Sequence, residues 1–196
     1  MDAISQMLTQ QLSGGGLSQI SQQIGVDEQT TGNALSAAVP LLISAMANNA
    51  SQPAGAQSLH QALSQDHDGA IFNDLSGFLS NPQAANGAGI LGHVLGPKQD
   101  LVQTGLAQQT GLDAGSIGQL LMIAAPLVMG ALGKTQQEQG LDAGGLASLL
   151  GQQQQAAQQS NPDLMGMLGN LLDMNNDGSA LDDILRLAGN FFGGRK

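Results

Sequence analysis

The sequence lacks cysteine, tryptophan and tyrosine altogether, and its only aromatic residues are four phenylalanines. Without cysteine there is no disulfide framework and no thiol chemistry, and a zinc site built on cysteine is excluded. Because aromatic side chains are so scarce, aliphatic residues and methionine have to supply the buried area of any core. A chain of 196 residues is long enough to bury such a core, in one domain or in two small ones.

Basic residues are also scarce, since five Lys and Arg stand against 15 Asp and Glu, which gives a formal net charge of −10. Such a surface repels phosphate backbones, so nucleic acid is not expected as a partner. No positively charged segment follows Met1, so the sequence predicts no signal peptide and a cytoplasmic location.

Long hydrophobic runs are absent as well. The longest one, residues 117–132, is shorter than the ~20 residues needed to cross a bilayer, and it contains Gln119 and Pro126. The run therefore predicts a buried core helix. A Pro-containing helix that leaves the core for lipid is the alternative, together with the similar stretch at residues 35–47.

The sequence does contain an internal repeat. Residues 22–45 align without a gap on residues 108–131, and ten of the 24 aligned positions are identical, Pro40 and Pro126 among them. This agreement is far above chance, so the sequence predicts a duplicated unit.

Each copy of the repeat has helical signals. Met1, Ile4, Met7 and Leu8 fall on one face of a first helix. A second helix, Leu17 to Ile24, is predicted to end at Gly25, with Asp27 as the N-cap of the next helix. Asp113 or Ser116 repeats that cap in the second copy, and Pro40 and Pro126 either kink their helices or start new ones. Further helices are predicted at 56–65, 70–80, 88–95, 98–109, 143–150, 162–172 and 180–192, with the Gln-rich residues 151–159 as a linker or a polar helix.

The predicted fold class is therefore all-α, with no convincing strand. A duplicated multi-helix unit forms a compact helical domain, and a helix–loop–helix follows at the C-terminus. The predicted organisation is a first copy at 1–97 with a degenerate Asp loop, a second copy at 98–160 and the helix–loop–helix at 161–196.

Residues 17–27 resemble the first helix and turn of a DNA-binding helix-turn-helix. The helix that would read DNA contains no Lys or Arg over residues 27–47, and Asp27 and Glu28 stand where its N-terminal contacts would lie. Two packed helices joined by a Gly-terminated turn are the better interpretation.

The strongest candidate site is an Asp-rich loop near the C-terminus. Asp173, Asn175 and Asp177 place oxygen side chains at loop positions one, three and five, and a glycine follows at position six. Ca²⁺ prefers oxygen ligands at this spacing, and the glycine permits the sharp turn. The loop departs from an EF-hand at positions nine and 12, where Leu181 and Ile184 cannot ligate a cation. The candidate Ca²⁺ ligands are Asp173, Asn175, Asp177, Ser179, Asp182 and Asp183, with the last two closing a shorter loop.

A metal-free interpretation of the same residues is equally consistent with the sequence. Ser179 and Asp182 form a capping-box-like pair for a final helix, and acidic residues in a first helical turn suit the helix dipole. The choice between a calcium loop and a helix cap stays open at this point.

The first copy carries a worn version of this loop. Asp66, Asp68 and Asp74 align with Asn175, Asp177 and Asp183, but loop position one is a serine, Ser64. These three carboxylates are a second and weaker metal candidate, and a structural turn is the favoured interpretation.

The chain resembles the bacterial domain-of-unknown-function family nine-three-seven. The resemblance lies in residues 25–27, 38–42, 66–69, 90–96, 125–133 and the terminal Asp-rich loop, and it covers nearly the whole chain. It implies a bacterial, helical protein without an assigned activity. Such proteins often carry Asp at loop position three, where Asn175 keeps an oxygen ligand but removes one charge.

Three classes of function are weighed on these observations. No set of nucleophile, base and orienting residue stands out, so a non-enzymatic structural or protein-interaction module is predicted, with a protein partner or self-association and the candidate calcium loop. The alternatives are a lipid-interacting protein that uses its Pro-containing apolar helices, and an enzyme with Asp or His in a groove between the copies.

Overall fold

The computed structural model describes residues 3–160, and within them the chain forms helices and no strand. The predicted all-α class is confirmed. The helices predicted at 162–172 and 180–192 lie outside the described residues, as does the Asp-rich loop between them. The helices are α1 Ala3–Leu12, α2 Gly16–Ile24, α3 Glu28–Ala50, α4 Pro53–Gln65, α5 Leu75–Ser80, α6 Gly87–Val94, α7 Gln99–Thr110, α8 Ala114–Gln139 and α9 Ala143–Ser160, with short 3₁₀ helices at Ala70–Phe72, Pro82–Ala85 and Gly96–Lys98.

Two long helices, α3 and α8, form the centre of the fold. They pack against each other, and α8 also contacts α1, α2, α4, α6 and α7. The predicted apolar run at 117–132 lies inside α8 and is almost entirely buried. No aromatic side chain is among the fully buried residues of the described part, so Leu, Ile, Val, Ala and Met supply the core as the composition requires.

Both central helices continue through an internal proline, so neither Pro40 nor Pro126 starts a new helix. A proline has no N–H, and the carbonyl four residues earlier therefore loses its helical partner. In α8 this carbonyl belongs to Met122, and Gly87 of α6 packs so closely on it that a Cβ at that position would overlap the oxygen. The gap left by Pro126 is thus covered by a neighbouring helix that can approach because it carries glycine.

The same turn precedes three helices. Gly25, Gly111 and Gly140 all have positive φ, at 70°, 74° and 61°, a conformation that glycine adopts without strain. Two residues after each glycine stands an Asp whose carboxylate accepts a backbone N–H in the first turn of the next helix. These bonds run from Thr30 to Asp27 at 2.9 Å, from Ser116 to Asp113 at 3.0 Å and from Gly145 to Asp142 at 2.8 Å.

Two of the three turns were predicted from sequence, with Asp27 confirmed as an N-cap and Asp113 rather than Ser116 as the cap of α8. The recurrence at Gly140 and Asp142 was missed, although the spacing of glycine and aspartate is visible in the sequence. The duplication of the whole unit stays a prediction.

The helix predicted at 70–80 is wrong as a single element. A 3₁₀ turn at Ala70–Phe72 is separated from α5 because the carboxylate of Asp74 accepts the N–H of Gly77 at 2.9 Å and so starts a new helix. The Gln-rich residues 151–159 belong to α9, so of the two alternatives the polar helix is right.

Candidate binding cavity

A cavity with a volume of about 480 Å³ lies between α1 and α3. Leu17 of α2, Ala124 and Leu127 of α8, and Ala157 of α9 also line it. Its size lies within the roughly 300–1,000 Å³ of ordinary ligand pockets.

The walls of this cavity are aliphatic. Leu8 and Leu12 of α1 line the cavity together with Leu35 and Val39 of α3. The two members of each pair are four residues apart, so they lie on the same side of their helix. Pro40 adds its ring to the same wall. The cavity is therefore suited to an aliphatic or thioether guest.

Hydroxyl groups surround the cavity where its lining is exposed. Thr9, Ser13 and Ser36 are all exposed lining residues. Each hydroxyl donates to a carbonyl of its own helix, from Thr9 to Ser5 at 2.8 Å, from Ser13 to Gln10 at 2.7 Å and from Ser36 to Gly32 at 2.9 Å. No charged residue or histidine is among the described lining residues. The site offers shape and apolar area rather than an acid, a base or a cation.

The weaker metal candidate, Asp66, Asp68 and Asp74, forms a turn with backbone hydrogen bonds. The Asp68 carboxylate accepts the N–H of Ala70 at 2.9 Å, Asp74 caps α5, and Asp66 stands directly after the end of α4. Within residues 3–160 no group of three or more His, Asp or Glu side chains lies close enough to hold a metal ion.

This turn packs directly on α8 through glycines. A Cβ on Gly133 would overlap the carbonyl oxygen of His67, and a Cβ on Gly130 would lie 2.5 Å from the Cγ2 atom of Ile71. Gly69 itself has a φ of 95° and lies against Lys134. The worn loop is thus a structural element held against the central helix.

The stronger candidate, comprising Asp173, Asn175, Asp177, Ser179, Asp182 and Asp183, lies outside the described residues. Calcium binding and the helix-cap alternative at this loop both stay predictions.

The two N-cap carboxylates of the central helices are electrostatically distinct from ordinary surface acids. Backbone and hydroxyl hydrogen bonds from Thr30 hold the pKa of Asp27 below its usual value. Hydrogen bonds from the hydroxyl and N–H of Ser116 lower the pKa of Asp113 in the same way. Both groups are therefore charged at neutral pH and serve the helix termini.

The histidines do not form a common site. The Nε2 atom of His60 lies 3.2 Å from the carbonyl oxygen of Leu141, and the Nδ1 atom of His93 lies 3.0 Å from that of Gly89. Burial lowers the pKa of His67, and the charge of the neighbouring Asp66 opposes this shift. The contacts of His60 and His93 with backbone carbonyls are typical of structural residues.

The helices α3 and α8 are long and apolar enough to cross a membrane, with mean hydropathy of 1.2 and 1.7 in their most apolar windows. These windows are 78% and 72% buried inside the fold, and a core helix of a soluble protein meets the same length and hydropathy criteria. The predicted buried core helix is confirmed by this burial.

The described part is an all-α fold with Pro-containing central helices and Gly-x-Asp turns. Residues 6–135 match the family model described as "Bacterial protein of unknown function (DUF937)". The chain belongs to this family, as the resemblance in its sequence predicted. The match ends before α9 and the Asp-rich loop, so it covers less of the chain than that resemblance did.

No curated protein and no solved structure matches the chain significantly. The cavity itself was not predicted from the sequence. Its lining comes from five helices, and the leucines and hydroxyl residues that form it have no spacing that separates them from other parts of an amphipathic helix.

Proposed function

We propose that the chain is a non-enzymatic protein-interaction module whose binding site is the apolar cavity between α1 and α3. The observation that carries the proposal is an aliphatic space of about 480 Å³ with an exposed, uncharged hydroxyl rim. A catalytic site needs titratable or nucleophilic groups that converge on a substrate, and the described lining supplies none.

The proposed occupant is an amphipathic helix that inserts leucine and methionine side chains. Helices bind to apolar grooves between other helices through residues spaced three and four apart. Because the lining carries no charge, the inserted face needs no charged residue either. Methionine and leucine adapt to an irregular aliphatic space of this kind.

A charge placed at the rim of the cavity tests this proposal. The probe is a fluorescent 20-residue peptide with leucines at every third and fourth position and a neutral polar face. We expect Ser36→Glu to weaken its binding by at least about tenfold, since the bound apolar face would cover the carboxylate and remove its water. The measurement is fluorescence anisotropy on the full-length chain, with circular dichroism to verify its fold.

Ser148→Glu is the matched control. Ser148 is also an exposed helical serine whose hydroxyl donates to the carbonyl four residues earlier, Gly144 at 3.0 Å, but it does not line the cavity. Equal weakening by both substitutions, or no peptide binding by the wild-type chain, overturns the proposed site.

The proposal includes a calcium loop at residues 173–183, supported by the D-x-N-x-D-G sequence. A cation that binds only the folded state raises stability by about 2.7 kcal/mol at a hundredfold excess over its dissociation constant. We therefore expect millimolar Ca²⁺, compared with EDTA, to raise the melting temperature of the full-length chain. The measurement is far-UV circular dichroism.

Asp177→Ala is the control for this expectation, because it removes a carboxylate from the centre of the motif. A melting temperature that responds to Ca²⁺ in wild type and not in the variant supports the loop. No response in wild type, or the same response in both, means that the Asp-rich segment is a helix cap or binds no cation specifically.

A further inference from the structure

We infer that Ser5 and Thr9 of α1 keep the cavity open and select its occupant, a partner helix that inserts two aliphatic side chains four residues apart. Within the fold, Leu91 and Leu95 form such a pair at the positions that align with Ser5 and Thr9. The inference rests on the proposed function and deepens it, since it names the side chains that the partner must carry and the residues that admit them.

The alignment of the internal repeat is also visible in the contacts of the fold. It places α2 and α3 on α7 and α8 at an offset of 86 residues. A Cβ on Gly32 would lie 3.7 Å from the side chain of Leu17, and at the aligned positions a Cβ on Gly118 would lie 3.5 Å from that of Gln103. Extended towards the N-terminus without a gap, the same offset places α1 on residues 89–98, which include most of α6.

The aligned helices α1 and α6 differ at two positions that are four residues apart. Where α1 has Ser5, α6 has Leu91, which is 0% exposed. Where α1 has Thr9, the residue after α6 is Leu95, which is 4% exposed. Ser5 is half-buried and Thr9 is exposed, and both line the cavity. Two aliphatic side chains that are buried at α6 are thus missing from α1.

The two helices also differ in how they meet the central helices. α6 lies so close to α8 that a Cβ on Gly87 would overlap the carbonyl oxygen of Met122, which Pro126 leaves without its helical partner. The aligned carbonyl in α3 belongs to Ser36, which lines the cavity between α1 and α3. The cavity therefore lies at the place on α3 that corresponds to the contact of α6 with α8.

The missing pair of side chains defines the chemistry of the partner. Residues four apart lie on the same side of a helix, so one partner helix can insert both side chains into the cavity. The described lining has no charged residue, and residues 87–92 of α6 are likewise uncharged. A charged side chain would lose its water in this space without gaining a partner. An uncharged helix with leucine or methionine at both positions is therefore favoured over a charged one.

Filling the cavity from within tests the inference. We expect Ser5→Leu with Thr9→Leu to raise the melting temperature, because the two added side chains bury apolar area in a space that already exists. The same variant is expected to bind the fluorescent 20-residue peptide at least about tenfold more weakly, because the places for its leucines are taken. The measurements are far-UV circular dichroism and fluorescence anisotropy on the full-length chain.

Gln6→Leu with Gln10→Leu is the matched control. Gln6 and Gln10 are exposed residues of the same helix at the same spacing, and neither lines the cavity. This variant is expected to keep the melting temperature and the peptide affinity of the wild type. Equal effects of the two double substitutions overturn the inference. A melting temperature that Ser5→Leu with Thr9→Leu lowers also overturns it, because the cavity then has no room for the pair.

A change in the peptide provides a second test that leaves the chain unaltered. We expect the wild-type chain to bind an uncharged 20-residue helical peptide whose only leucines are one pair four residues apart. Moving one leucine by a single position makes the pair five apart and places the two side chains on different sides of the helix. This peptide of equal composition is expected to bind about tenfold more weakly. Equal binding of the two peptides contradicts selection of a pair by the cavity.

The results separate this inference from the proposed function. Peptide binding that is weakened by Ser36→Glu but not by Ser5→Leu with Thr9→Leu leaves the binding module and overturns the inference. If the wild-type chain binds no peptide, the proposed function and its partner are both overturned. A higher melting temperature of the filled variant would then show a gap in packing and no binding site.

Discussion

Gly133→Ala is expected to lower the free energy of unfolding by about 3 kcal/mol or more, at the upper end of the range for overpacked sites. The new methyl group would overlap the carbonyl oxygen of His67 and lie 2.8 Å from its carbonyl carbon. Backbone atoms cannot move aside as the tip of a flexible side chain can. The turn at residues 66–72 therefore has to leave α8, and its packing on the central helix is lost. Urea denaturation followed by circular dichroism measures the change.

Gly118→Ala is the matched control within the same helix. Its methyl group would meet only the side chain of Gln103, at 3.5 Å or more. Alanine is favoured over glycine in a helix interior by about 0.5–1 kcal/mol, so this variant is expected to be as stable as wild type or slightly more stable. Equal destabilisation by the two substitutions would show that the close approach at Gly133 does not govern the effect.

Leu121→Ala is expected to cost about 2–5 kcal/mol of unfolding free energy. Leu121 is fully buried in α8 with 0% exposure, so close-packed neighbours can fill the vacated space only in part. The lost transfer energy is therefore joined by the cost of the remaining void. The midpoint of urea denaturation is expected to fall, with an unchanged dependence on denaturant.

Leu101→Ala makes the same chemical change on an exposed surface. Leu101 of α7 is 52% exposed, so its truncation is expected to change stability by no more than about 0.5 kcal/mol. If Leu121→Ala and Leu101→Ala both changed the unfolding free energy by a similarly small amount, α8 would not be the centre of the core.

Local signals predicted most of the secondary structure. Gly25 and Gly111 end helices, and Asp27 and Asp113 start them, because positive φ and N-cap hydrogen bonds depend on a few adjacent residues. The break between Phe72 and α5 was missed for a related reason. The apolar residues around it continue a helical pattern, and only the capping bond of Asp74 shows that a second helix begins.

The role of the worn Asp loop depended on tertiary contacts. Asp66, Asp68 and Asp74 have the spacing of ligands, but Asp68 and Asp74 accept hydrogen bonds from backbone amides in the fold. The packing of this turn on Gly130 and Gly133 could not be read from the sequence, because these residues lie more than 50 positions further along the chain.

The sequence by itself determined the helical class, the family, the aliphatic core and the turns that start α3 and α8. These properties follow from composition, periodicity and hydrogen bonds between neighbouring residues. Only the tertiary structure decided that Leu8, Leu12, Leu35 and Val39 border a cavity, whereas Leu121 is enclosed on all sides. All five are aliphatic residues of amphipathic or apolar helices. The difference arises from how closely helices distant in sequence approach one another, and that distance is set by side chains elsewhere in the fold.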